Sequence, residues 1–148
     1  MKIPEIFIPE KNLDNKVEGL MKEKQLQQQQ VNKDEIPKYA IQEDGDYLVM
    51  RGGIIINTPN HKSITSANFY FTINGKEHRL HRGNKESNWL DGNRVSLEES
   101  LVSKLLNLGL VAFQEPDHLN AAYNDWELEM KHKTEETYKE LVLFAHNL

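Results

Sequence analysis

The fold is decided by the stretch SITSANFYFTI-NG-KEHRLHR, residues 63–82. An Asn-Gly pair between two runs of alternating apolar and polar residues is the strongest short-range signal of a β-hairpin with a two-residue turn. Such a turn sets the register, so that Ile73 faces Lys76 and Tyr70 faces Arg79. Because successive side chains of a strand point to opposite sides, one face of this hairpin is apolar and the other is polar.

The two faces have different expected roles. The apolar face, which we expect to lie on the core, holds Ala67, Phe69, Phe71, Ile73, His78 and Leu80. The polar face holds Ser66, Asn68, Tyr70, Thr72, Glu77, Arg79 and His81. An aromatic ring beside an arginine on an open sheet is typical of surfaces that stack bases and contact phosphates.

Further strand signals lie upstream of this hairpin. Tyr39–Ile41 and Tyr47–Asn57 flank a turn that contains Asp44-Gly45, which predicts a second hairpin. Gly52-Gly53 interrupts the longer strand and indicates a bulge or bend. Downstream, Gly83–Arg94 is rich in Asn and Gly and is predicted to be an exposed loop that carries Trp89.

Helical patterns are found on both sides of the strands. Residues 1–11 contain two prolines and favour an extended arm, and Asn12 is a suitable cap for a helix that runs from Leu13 to about Lys24. Pro37 ends this N-terminal segment, because proline cannot continue a helix.

The C-terminal third has two helical patterns. Ser96-Leu97-Glu98-Glu99 resembles a capping box, which predicts a helix that ends at Gly109, followed by a short strand over Leu110–Gln114. A longer pattern runs from Leu119 to Leu148, with a break predicted near His132–Thr134. Its apolar stripe either packs on the chain's own sheet or forms a homodimer through the C-terminal helix.

Together these elements predict an α+β fold in a single domain, residues 1–148. We expect an antiparallel sheet of four or five strands, packed with an N-terminal helix and two or three C-terminal helices. The chain divides by composition into an N-terminal arm and helix (1–37), a β-rich basic segment (38–95) and an acidic helical segment (96–148).

Composition excludes several classes of protein. The 148 residues include no Cys, which rules out disulfides, thiolate metal sites and cysteine nucleophiles. No stretch approaches the roughly 20 apolar residues of a membrane helix, and no signal peptide is evident at the N-terminus. We therefore expect a soluble, cytoplasmic protein that does not bind a membrane. No cofactor or metal is expected.

Charge is distributed unevenly along the chain. The formal net charge of −5 is divided into −3 over residues 1–46, +4 over residues 47–95 and −6 over residues 96–148. All four arginines lie in the middle segment: Arg51, Arg79, Arg82 and Arg94. Since the guanidinium group binds phosphate or carboxylate through two parallel hydrogen bonds, this segment suggests an anion-binding face. The alternative is a basic sheet whose charge is neutralised by the acidic helices of the same chain.

The candidate ligand-binding residues, for an anion or a nucleic acid, follow from this asymmetry and from the hairpin register. They are Tyr70, Arg79, His81 and Arg82, with Arg51 and Trp89 as further members. The alternative is a solvated sheet face on which the Tyr70–Arg79 pair only helps the strands to associate. Neither the aromatic motifs of RNA-recognition domains nor a Gly-x-x-Gly loop occurs in the sequence.

Catalytic and metal motifs are weak. His78 and His81 resemble a metal pair, but three positions along a strand place them on opposite faces. Glu43, Asp44 and Asp46 crowd one turn and are interpreted as solvated carboxylates. His61 and His81 are the residues that a histidine-dependent phosphodiesterase would use.

Three hypotheses for function remain. The leading one is a small non-catalytic interaction protein, such as an inhibitor, immunity or regulatory factor, that binds a protein partner. The second is a binder of nucleic acid or of a phosphate-bearing ligand through the basic central hairpin. The third is a histidine-dependent phosphodiesterase or nuclease. The absence of a catalytic motif favours a protein that is not an enzyme.

Overall fold

The structure of the chain, a computed structural model, describes residues 31–83 and 87–148. The chain divides into two units, Met1–Glu35 and Ile36–Leu148. In the first unit the described residues include one 3₁₀ turn at Lys33–Glu35. The arm and helix predicted for residues 1–24 lie outside the described residues. The single domain predicted over residues 1–148 stays a prediction.

The second unit is built on an antiparallel sheet of five strands, in agreement with the predicted α+β class. The strands lie side by side in chain order, which places β1 and β5 at the two edges. They are β1 (Leu48–Thr58), β2 (His61–Ile73), β3 (Lys76–Arg82), β4 (Asn88–Leu90) and β5 (Asn93–Val95).

The central hairpin, β2–β3, has the predicted register. Ile73 pairs with Lys76, Tyr70 with Arg79 and Ala67 with Arg82. Asn74 and Gly75 both have positive φ, 52° and 81°, as a type I′ turn requires. This turn matches the right-handed twist of the two strands, so the dipeptide by itself sets the pairing over seven positions of β3.

The first hairpin differs in part from the prediction. The bulge at Gly52-Gly53 is confirmed, because the β1–β2 register shifts between Arg51 and Ile54. The strand predicted at Tyr39–Ile41 is wrong. Residues Lys38–Ala40 form a 3₁₀ helix instead, and only Ile41 bridges to Tyr47. Pro37 precedes this turn and lacks the N–H group that a strand ladder needs.

The loop predicted over Gly83–Arg94 is also wrong, since it contains the β4–β5 hairpin. Asp91 and Gly92 form its turn with φ of 50° and 85°. Asn88 and Leu90 are buried on one side of β4, while Trp89 between them is exposed. The Asp-Gly pair of this turn is a hairpin signal of the same kind as Asn74-Gly75.

Two α-helices occur in the described residues, both after the sheet: α1 (Glu99–Phe113) and α2 (Tyr123–His146). The capping box predicted at Ser96 does not form, because the N-cap is Glu98 and its side chain makes no capping hydrogen bond. Gly109 lies inside α1, and no strand follows it. A Cβ at Gly109 would lie 3.0 Å from Cδ1 of Ile64, so glycine here allows the helix to approach the sheet closely.

Helix α2 is continuous through the break predicted near His132–Thr134. Thr134 and Thr137 are buried on its packed face and continue the stripe where large apolar residues are missing. The helix begins at Tyr123 rather than at Leu119, whose side chain is 96% exposed. The described residues therefore contain no third C-terminal helix, and the predicted set of helices differs from the one observed.

The hydrophobic core lies between the two helices and one face of the sheet. Trp126, Met130 and Leu141 of α2 are buried in it, so these residues are not available to a helix-mediated homodimer. The homodimer itself stays a prediction. From the sheet and α1 the core includes Leu48, Ile64, Ala67, Phe69, Phe71, Leu80, Leu90, Leu101, Leu105, Leu108 and Val111. Neither α1 nor α2 is long and apolar enough to cross a membrane.

Asp46 is a buried carboxylate, unlike the solvated residue expected in this turn. It accepts hydrogen bonds from the backbone N–H groups of Asn74 and Gly75, at 3.1 and 2.9 Å, and from the hydroxyl of Thr72 at 2.9 Å. Burial alone would raise the pKa of Asp46, but these hydrogen bonds outweigh it and hold the pKa below its ordinary value. Asp46 thus ties the turn before β1 to the turn of the central hairpin.

Candidate anion-binding site

The strand register brings five residues into one row across the sheet, which we call the basic row. Arg51 of β1 pairs with Asn68 of β2, Asn68 pairs with His81 of β3, His81 with Trp89 of β4, and Trp89 with Arg94 of β5. Residues paired across an antiparallel sheet point to the same side. The row therefore lies on the sheet face opposite the helices, with two arginines at its ends.

Tyr70 and Arg79 form the adjacent cross-strand pair on this face. The ring of Tyr70 is only 7% exposed, and its neighbour Val49 is also buried. Trp89 is 38% exposed. Of the two aromatic rings predicted to stack on a ligand, Trp89 is the accessible one, and Tyr70 is not available for stacking in this structure.

His81 is a neutral member of the basic row at neutral pH. Its Nδ1 lies 2.9 Å from the side-chain oxygen of Asn68. Burial, followed by the nearby positive charge of Arg79, lowers the pKa of His81 below its ordinary value. The positive charge of the basic row consequently comes from Arg51 and Arg94.

Arg82 lies on the other face of the sheet, although it was grouped with His81 as a site residue. Adjacent residues of a strand point to opposite sides, so Arg82 follows His81 onto the helix-covered face. Its side chain is 7% exposed, and its Nη1 donates a hydrogen bond of 3.0 Å to the side-chain oxygen of Asn88.

The guanidinium of Arg82 has no counter-ion in the part of the chain that the structure describes. Among residues 31–83 and 87–148, no carboxylate forms an ion pair with it, and its buried Nε has no hydrogen-bond partner. The alternative in which acidic helices neutralise the arginines is therefore not observed for Arg82. Buried polar groups are nearly always satisfied, and leaving a buried charge unpaired costs roughly 3–5 kcal/mol.

A pocket of about 240 Å³, which we call the Arg82 pocket, opens beside this group. It lies at the β5 edge of the sheet and next to the beginning of α1. Its polar lining comes from Arg82, Asn88, Arg94 and Ser96. Its apolar lining comes from Val95, Leu97 and Val102.

The electrostatics of the pocket favour an anion. Two arginines and one serine line it, and none of the Asp or Glu residues that the structure describes does. Glu98 and Glu99 are close in sequence but do not line the pocket. The amino end of α1, where the helix dipole is positive, starts next to it and lacks a side-chain cap. A phosphate or carboxylate would supply the missing counter-ion of Arg82.

Three lining residues were missed as site residues: Asn88, Arg94 and Ser96. The Asp91-Gly92 turn signal would have revealed the β4–β5 hairpin and placed Asn88 on the same face as Arg82. No local signal indicates Ser96, because its position depends on how the chain passes from β5 into α1.

The predicted histidine pair is not brought together. His61 lies on β2 seven positions before Asn68, the partner of His81, which separates them by about 23 Å along the strand. His78 lies on the helix side of β3, with Nδ1 2.7 Å from a carboxylate oxygen of Asp91 and its ring stacked on Phe71. No group of three or more metal-ligating side chains occurs in the part of the chain that the structure describes.

Comparison of the chain with models of protein families, with curated proteins and with solved structures finds no match. A fold class alone does not imply a function, so the chemistry of the site must carry the argument.

Proposed function

We propose that this chain is a non-catalytic binding protein that holds an anionic group, phosphate in particular, in the Arg82 pocket. The observation that carries the proposal is the buried guanidinium of Arg82, which has no counter-ion among the described residues and lines a pocket together with Arg94. An anion bound there would pair with both arginines at once.

The donor set favours phosphate over a smaller anion. Guanidinium groups present planar forks of N–H donors, and phosphate offers enough oxygens to accept from two forks and from the Ser96 hydroxyl together. Charge-assisted hydrogen bonds of this kind are roughly twice as strong as neutral ones.

The residues that line the pocket support binding rather than catalysis. A general acid or base at neutral pH is most often His, Glu or Asp, and none of these residue types lines the pocket within residues 31–83 and 87–148. The ligand is therefore expected to leave the site chemically unchanged. The predicted protein partner stays a prediction, and it is compatible with this site if the partner carries the anionic group.

The test is thermal unfolding of the full chain with increasing inorganic phosphate at constant ionic strength. Ligand that binds only the folded state stabilises it, by about 2.7 kcal/mol at a concentration of 100 Kd, and raises Tm. Arg94→Gln should abolish the rise without unfolding the protein, because Arg94 is exposed. Arg79→Gln, which removes an arginine outside the pocket, is the matched control and should retain the rise.

Arg82→Met tests the proposal in two ways, through Tm without phosphate and through the response of Tm to phosphate. Replacing an unpaired buried cation by an apolar side chain is often neutral or stabilising. We expect Tm without phosphate to be unchanged or higher in this variant and the phosphate response to be lost. Equal phosphate responses in the wild type, Arg94→Gln and Arg79→Gln would contradict the proposal.

A further inference from the structure

Arg94 lies beside both the Arg82 pocket and the exposed ring of Trp89, and this position indicates which class of ligand the site binds. Arg94 lies directly opposite Trp89 in the β4–β5 pairing, on the face of the basic row. It also lines the pocket with Arg82, which belongs to the other face. Because β5 is an edge strand of the described sheet, none of the described strands separates the two sides at this position.

The distances between these groups suit one small ligand. Residues directly opposite each other in an antiparallel pair have Cβ atoms about 4.5–5.5 Å apart. A ligand whose phosphate binds Arg82 and Arg94 would therefore hold its next chemical group near the Trp89 ring. The pocket, about 240 Å³, has room for a phosphate but leaves a bulky attached group outside, along the β5 edge.

Trp89 has the exposure expected of a stacking platform. It is 38% exposed, whereas the other tryptophan, Trp126, is 6% exposed and donates a hydrogen bond to the carbonyl of Val111. Among the described residues, no aromatic ring is stacked on Trp89. A flat π-face beside an arginine is the combination that binds unpaired bases in single-stranded nucleic acid.

We infer that the ligand is single-stranded nucleic acid, with one backbone phosphate in the Arg82 pocket and the adjacent base stacked on Trp89. This inference rests on the proposed function. A base in a duplex is stacked on both sides and cannot reach the ring, so the site selects an unpaired strand. The two arginines contact a single phosphate, so the site covers only a short piece of the strand. A protein of net charge −5 can therefore bind a polyanion at this one place.

The experiment measures binding of the full chain to four probes: inorganic phosphate, a phosphopeptide, a single-stranded octathymidylate and a duplex of the same length. The single strand should bind roughly 5- to 150-fold more tightly than phosphate, the range that one stacked base provides. Its affinity should fall with salt at a logarithmic slope of about −0.7 for each phosphate contacted.

Single substitutions distinguish the contribution of base stacking to the affinity from the contribution of the anion pocket. Trp89→Ala should lose the advantage of the single strand over phosphate while phosphate binding is unchanged, and Trp89→Phe should retain part of it. Arg94→Gln should lose both. Lys76→Gln removes one charge from the exposed beginning of β3 and should change neither affinity.

The outcomes distinguish this inference from the proposed function. If phosphate binds but the single strand binds no more tightly, or if Trp89→Ala has no effect, the nucleic-acid inference is wrong and the anion pocket stands. Equal binding of duplex and single strand, or tighter binding of a phosphopeptide than of the octathymidylate, would overturn it as well. If no probe binds, the proposed function fails with it.

Discussion

At Arg82, burial and charge act against each other. A side chain of this kind is almost never fully buried without a partner, and the described residues provide it with one hydrogen bond, to the neutral side chain of Asn88. Side chains that oppose stability in this way are typical of functional sites, where a ligand supplies the missing interaction.

Asp46 shows the opposite case, a buried charge with a complete set of partners. Three hydrogen bonds reach its carboxylate, two of them from the backbone of the β2–β3 turn. Asp46 therefore holds its own turn against the β2–β3 hairpin. Two of the donors lie in the hairpin turn, and the third, Thr72, lies near the end of β2.

Asp46→Asn is expected to lower the free energy of unfolding by about 1–3 kcal/mol, since a charged acceptor of backbone N–H groups is lost. The pKa of Asp46 in the folded protein lies below the ordinary 3.8. Its contribution is therefore fully present above the ordinary pKa and is lost as the pH falls through the lowered folded value. Urea unfolding at pH 7 and at several acidic values measures both effects.

Glu43→Gln is the matched control for Asp46→Asn, because Glu43 is an exposed carboxylate in the same turn. Its effect should stay within about 0.5 kcal/mol, as is usual for surface substitutions. A difference between wild type and Asp46→Asn that is the same at pH 7 and at pH 2 would contradict the role assigned to the carboxylate.

At the scale of secondary-structure elements, the bulge of β1 is set by two glycines with different surroundings. Both have positive φ, 66° at Gly52 and 115° at Gly53. A Cβ at Gly53 would lie 2.6 Å from the backbone oxygen of Ser66, whereas a Cβ at Gly52 would meet nothing within 4 Å. Only Gly53 therefore combines an unfavourable backbone conformation with a close approach of the neighbouring strand.

Gly53→Ala should destabilise the protein by at least about 1–3 kcal/mol, the cost of the backbone strain alone, and the contact with Ser66 adds to it. Gly52→Ala should cost less, roughly 1–2 kcal/mol, because only the left-handed conformation opposes it. Chemical unfolding of the two single variants gives this comparison directly. Equal losses would show that the contact with β2 does not matter.

At the scale of the molecule, the second unit has one core that joins the sheet to both helices. Leu105 of α1, Leu141 of α2 and Phe69 of β2 are all fully buried in it. Trp126 adds a hydrogen bond of 2.7 Å to the carbonyl of Val111, which links α2 to the end of α1. Helices and sheet should therefore unfold together.

This cooperativity can be measured in a Trp89→Phe variant, in which Trp126 is the only tryptophan. Fluorescence then reports on the core and far-ultraviolet circular dichroism reports on α1 and α2. We expect the two unfolding transitions in urea to coincide, as for a two-state domain. Separate midpoints would show that the helices detach before the core around Trp126 opens.

Local signals predicted the features that depend on a few neighbouring residues. Asn74-Gly75 specified the β2–β3 register, and Gly52-Gly53 specified the bulge, because positive φ at these positions is a property of the dipeptides themselves. The same rule applied to Asp91-Gly92 would have added β4 and β5. The prediction that α1 ends at Gly109 was wrong. The glycine allows the helix to approach the sheet closely and does not mark the end of the helix.

The candidate site was only partly predictable for a related reason. Arg82 and Trp89 were both predicted from the sequence as site residues, Arg82 at the end of the central hairpin and Trp89 on an exposed loop. Burial separates them, since α1 and α2 cover the side of the sheet that Arg82 occupies. The Arg94 connection exists only because β5 is an edge strand, which is a property of the whole sheet.

The sequence by itself determined the antiparallel sheet, the central register and the position of the arginines in one basic segment, because turns and side-chain alternation act between near neighbours. Only the tertiary structure decided which arginine is buried without a counter-ion among the described residues, which aromatic ring is exposed and where a pocket opens. These properties depend on the order of five strands and on the face that the helices cover, and long-range packing determines both.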